Sequence, residues 1–112
     1  MDDNIFEVID VRGIMVVCEK KHWQIHIIGG HPEVEDKLEM VKKAIIEPDI
    51  IYQSENEPKR DVYFREIEGG KCMKVIVEIS AANFGEVVTA FLRKGITGNI
   101  DTEIVKYVKT KL

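Results

Sequence analysis

Apolar residues in this chain fall into short runs of two different periods, and the switches between them predict the order of its elements. Ile5 to Ile9 and Ile14 to Glu19 are β-branched runs joined by Asp-Val-Arg-Gly, which predicts a hairpin. In Trp23 to Ile28 both periods fit, and the stretch reads as a short helical turn. A longer helix is predicted from His31-Pro32-Glu33 to Glu47, because proline suits a first helical position and Val34, Leu38, Val41 and Ile45 form one stripe. Asp49 to Gln53 reads as a short strand. Beyond the polar loop Ser54 to Lys59, Asp61 to Glu68 alternates, with Val62 and Phe64 on one face and Tyr63 and Arg65 on the other.

Gly69 and Gly70 form the next turn. Lys71 to Ser80 then sets Met73, Val75, Val77 and Ile79 on one side, and Glu86 to Leu92 sets Val87, Thr89 and Phe91 opposite Val88, Ala90 and Leu92. Ile100, Ile104, Val108 and Leu112 recur at helical spacing, so a short C-terminal helix capped by Asp101 or Thr102 is expected. The predicted fold is α+β, with an N-terminal hairpin and helix followed by a four-stranded antiparallel sheet and a short C-terminal helix.

At 112 residues, 45% of them hydrophobic, the chain suits a single domain spanning 1–112. No window approaches the roughly 18 apolar residues of a membrane span, and the acidic start is unlike a signal peptide, so a cytoplasmic protein is expected without a membrane partner. Cys18 and Cys72 lie in apolar runs and read as reduced core residues. The net charge of −4 speaks against a surface coated in lysine for nonspecific nucleic-acid binding. Its distribution changes that picture: Lys20 to Pro32 holds two lysines and three histidines and no carboxylate.

That electropositive segment carries the candidate chemistry. His31, at the expected helix start, would meet free backbone N–H groups receptive to an anion, and an imidazole there can act as a general base. The competing reading is a histidine that only caps the helix. His22, His26 and His31 could together hold zinc, although no carboxylate accompanies them, and His26 flanked by isoleucines reads equally as a buried histidine. Arg65 can stabilise charge on a phosphate by forked hydrogen bonds, or be an ordinary strand residue. Thr89 is either a satisfied core hydroxyl or a phosphate ligand. Glycine-rich nucleotide loops and nucleophile motifs are absent from the sequence.

The order of short motifs resembles a known family. Trp23-x2-His26-Ile27-x3-His31-Pro32-Glu33, Glu47 to Tyr52, Val62 to Arg65, Lys74 to Val77 and Glu86 to Phe91 resemble the small phage and mobile-element domains of the barnase, EndoU, colicin and RelE-like nuclease superfamily, with a core at about 20–94. The resemblance implies a metal-independent endoribonuclease of toxin or phage-effector type, which needs no cofactor and cleaves RNA by attack of the ribose 2′-OH. It further implies catalytic roles for His26, His31, Arg65 and Thr89 converging on one cleft, and substrate contacts from Tyr63, Lys74 and Phe91. An antitoxin or immunity protein is the partner it suggests. The alternative is a noncatalytic protein-binding module on the same fold.

Overall fold

The computed structural model describes residues 3–95 and 104–110. Strands β1 (Asn4–Ile9) and β2 (Met15–Glu19) form the N-terminal hairpin. A π-helical segment, His22–Ile27, runs into the single turn α1 (Ile28–Gly30), a 3-10 turn at Pro32–Val34 and the helix α2 (Leu38–Ile46). Strands β3 (Ile50–Gln53), β4 (Arg60–Glu66), β5 (Lys71–Ala81), β6 (Phe84–Lys94) and β7 (Val105–Val108) follow.

All seven strands join one sheet in the order β1-β2-β6-β5-β4-β3-β7. The antiparallel run from β3 to β6 is present, but the expected four-stranded sheet is wrong: the fold is mixed α/β with a seven-stranded sheet and, among the described residues, two short α-helices. Two docking events account for the difference. The hairpin adds to the sheet because β2 pairs in parallel with the start of β6, Met15 with Phe84, Val16 with Gly85 and Val17 with Glu86. At the other edge, Val105–Val108 is a strand on β3 where a C-terminal helix was expected. Its β-branched residues suit either reading in isolation, and the unpaired edge of β3 supplies the backbone partners that decide it. The expected caps Asp101 and Thr102 lie outside the described residues.

The long helix from His31 to Glu47 is interrupted. The stripe itself holds: Val34, Val41 and Ile45 are fully buried and Leu38 packs beside them. Between them Lys37 leaves helical geometry (φ −122°, ψ 26°), so the stripe is shared by two separate helical pieces.

Alternation assigns the two faces of the sheet. Tyr63, Met73, Val75, Val77 and Ala90 face inward onto Trp23, Ile27, Val41 and Ile45. Ile50, Tyr52, Val62, Phe64 and Cys72 form a smaller cluster on the outer face. Strand β6 departs from simple alternation. Thr89 pairs with Ile76 and Val87 with Val77, which leaves Val88 as a bulge and turns Val87 inward together with Ala90. The turn at Gly69 and Gly70 has φ of 66° and 74°, as a two-residue hairpin with both central residues left-handed requires.

The sheet also curls around its inner face. Arg12, in the turn between β1 and β2, bonds to the Tyr63 hydroxyl of β4 although β6 and β5 lie between β2 and β4 in the sheet. Gly85 of β6 lies close against β5. A Cβ there would lie 2.8 Å from Val77 Cγ1 and 2.9 Å from Ile79 Cδ1. Gly85→Ala is therefore expected to lower stability by about 1–3 kcal/mol, measured by urea unfolding, from overpacking between β6 and β5.

Candidate functional site

On the outer face, cross-strand pairing aligns Phe64 with Lys74 and Lys74 with Phe91. The Lys74 ammonium sits 5.4 Å from the Phe64 ring centre and 5.3 Å from that of Phe91. Arg93, two residues along β6, places its guanidinium carbon 5.8 Å from the Phe91 ring. From the helical segment beside β6, His31 stacks on the same ring, centroids 4.7 Å apart and planes inclined by 24°. One phenyl ring thus gathers an imidazole, an ammonium and a guanidinium, attracted by its negative face. Thr89 lies on the same strand and, by alternation, the same face as Phe91.

His31 reaches this place by a route unlike the expected one. Its backbone N–H donates to the Ile27 carbonyl at 2.8 Å, and its carbonyl accepts from Val34 at 3.1 Å. Only a 3-10 turn follows it, and its side chain makes no capping hydrogen bond. The anion-receptive start of a long helix is therefore absent at His31, and its position is set by the Phe91 ring. Glu33 Oε2 lies 3.7 Å from His31 Nδ1, with both side chains well exposed.

The expected catalytic set does not converge. Arg65 pairs with Met73, an inner-face residue, whereas Thr89 pairs across the outer face with Ile76, so the two point to opposite sides of the sheet. Arg65 Nη1 donates to the Glu47 carbonyl at 2.6 Å. That bond satisfies a carbonyl at the C-terminus of α2, where a cation is also favoured by the helix dipole. His26 is exposed, not buried among its isoleucine neighbours, and its ring lies 5.0 Å from that of His22. His31 is apart from that pair, and among the described residues no group of three metal-binding side chains forms. Tyr63 is fully buried on the inner face, out of reach of a substrate.

What surrounds Tyr63 is a buried ionic network that the sequence did not suggest. The Tyr63 hydroxyl donates to Asp10 Oδ2 at 2.6 Å and accepts from Arg12 Nη2 at 2.9 Å. Asp10 also accepts from the backbone N–H groups of Arg12 and Ile14 and from the Arg12 side chain. Arg12 reaches on to Asp61 Oδ2 at 2.9 Å, and Lys106 of β7 reaches Asp61 Oδ1 at 2.8 Å. Two buried carboxylates therefore meet two cations. Burial, with the Asp10 bond and charge, pushes the Tyr63 phenol up well beyond its usual range. Burial opposes the charge on Arg12, but Tyr63, Asp61 and Asp10 outweigh it and raise the pKa of the guanidinium. The only signal available in sequence was Asp10 and Arg12 inside an apparent turn.

Cys18 and Cys72 are buried free thiols, as expected. Along the β2–β6 junction runs a groove of about 230 Å³, lined by Val17, Glu19, His22, Glu78, Glu86 and Val88. Among the described residues no helix is long and apolar enough to cross a membrane. No protein family, curated protein or solved structure matches the chain.

Two outcomes test this account of the interior. Lys106→Met leaves Asp61 with one cation and is expected to cost about 1–3 kcal/mol in urea unfolding. Burial pushes the Cys18 thiol from 9.0 up to about 12, so the unfolded chain releases this proton first. The associated stability is complete below pH 9 and is lost as pH rises toward about 12. The decline measured over that window is expected to be shallower in Cys18→Ala.

Proposed function

We propose that the chain binds single-stranded RNA at the Phe91 cluster and cleaves it there without metal. The observation that carries this reading is the convergence of His31, Lys74 and Arg93 on one ring. RNA offers the matching chemistry, a diester anion beside a nucleophilic 2′-OH. The motif resemblance from Trp23 to Phe91 supports the same substrate.

Each group has a role that follows from its charge and position. His31 accepts the proton of the attacking 2′-OH. Lys74 and Arg93 offset the negative charge that grows on the phosphate oxygens, and the Thr89 hydroxyl donates a hydrogen bond to one of them. The departing 5′ oxygen takes its proton from water, and the products are a cyclic phosphate and a free 5′-OH. Phe91 holds Lys74 and Arg93 together against their mutual repulsion and seats the His31 ring beside them. Arg65, His26 and Tyr63 have no part in this site.

A second reading, RNA binding without cleavage, is favoured by the separation of His26 and Arg65 from His31, which leaves the cluster a single imidazole. The two readings part in one experiment. Incubated with mixed cellular RNA in EDTA, the wild type is expected to produce fragments ending in cyclic phosphate. His31→Ala is expected to lose about 100-fold or more of that activity, and Arg65→Ala to retain it. Lys74→Ala and Arg93→Ala should each weaken oligonucleotide binding and flatten its salt dependence, read by fluorescence anisotropy. Intact RNA with salt-dependent binding establishes the second reading, and the absence of both overturns the proposal.

A further inference from the structure

The neighbouring histidines His22 and His26, whose rings are tilted toward each other, take no part in the Phe91 cluster. A π-helix hydrogen-bonds from i to i+5, and its wide winding brings residues four apart nearly above one another. The two rings consequently lie 5.0 Å apart, inclined by 32°. His22 Nε2 lies 2.7 Å from the Val88 carbonyl oxygen. A carbonyl only accepts, so Nε2 carries the proton and Nδ1 presents its lone pair. Metal-ligating histidines are typically held in this way, with the second ring nitrogen donating to a backbone carbonyl. The acceptor belongs to Val88, the bulge of β6.

We infer that His22 and His26 form a binding site for a divalent transition-metal ion that favours imidazole, copper(II) or nickel(II), with water completing the coordination. With metal–nitrogen bonds of about 2.1 Å, rings at this separation subtend roughly 100° at a shared ion, between square and tetrahedral values. The exposed His26 ring turns about its terminal side-chain torsion at little cost to aim its lone pair. Charge favours the cation as well. Glu19, Glu78 and Glu86 line the groove that ends at His22. Hard cations such as magnesium prefer oxygen ligands and are not expected to occupy an imidazole pair. The site is independent of the proposed RNA chemistry, because His31 is engaged with Phe91.

The test is calorimetric titration of the full chain with nickel chloride, then copper chloride, in chelator-free buffer, with circular dichroism to verify that each variant is folded. One ion per chain is expected, removed by EDTA. His26→Gln changes an exposed side chain and is expected to weaken binding at least ten-fold, whereas His31→Gln leaves it unchanged. Copper should broaden the imidazole resonances of His22 and His26 ahead of those of His31. Undiminished binding by His26→Gln, an equal loss in His31→Gln, or no heat of binding with either ion overturns the inference.

Discussion

The interior of this fold is organised by a carboxylate that cannot be left alone. Asp61 is 1% exposed near the start of β4, where an unpaired charge would cost several kcal/mol. Its two cations come from opposite ends of the described chain, Arg12 from the first turn and Lys106 from the last strand. Satisfying Asp61 therefore requires the β1–β2 turn to reach β4 and requires β7 to lie against β3. Curl, hairpin docking and the C-terminal strand are three aspects of one electrostatic requirement. Tyr63 and Asp10 complete it, since Arg12 is aimed at Asp61 by the carboxylate it grips within its own turn.

Most strands were legible because each is written in local alternation. The opposition of Val62 and Phe64 to Tyr63 and Arg65 follows from period two alone, as does the inward row Met73, Val75 and Val77. The stripe Val34, Leu38, Val41 and Ile45 identified the buried face of the helical region, but a stripe does not report whether the helix beneath it is continuous. The bulge at Val88 defeated alternation in β6, because one extra residue inverts the facing of all that lies beyond it. The parallel docking of β2 on β6 joins residues about seventy positions apart, and no local pattern encodes such a contact.

The candidate site was half legible for the same reason. His31, Lys74, Thr89 and Phe91 could be named from residue type and motif order, and the first two are found around the ring of Phe91. Arg93 escaped notice, although it follows Thr89 and Phe91 at the same period-two spacing that places it on their face. Arg65 lies on the opposite face, where a strand arginine near a helix end has another partner, the carbonyl of Glu47. A residue's type advertises the chemistry it can do, whereas the nearest unsatisfied group decides what it does.

The parallel junction of β2 with β6 bears on how the molecule is made. The N-terminal hairpin is synthesised well before the strand it docks on and the carboxylate that Arg12 needs. Contacts of such sequence separation carry a high loop-closure cost and slow folding. During synthesis the hairpin is therefore an orphan, the edge of β2 unpaired until β6 appears. Glu7 and Glu19 place exposed charges on that early strand pair, a feature that disfavours edge-to-edge pairing with other chains.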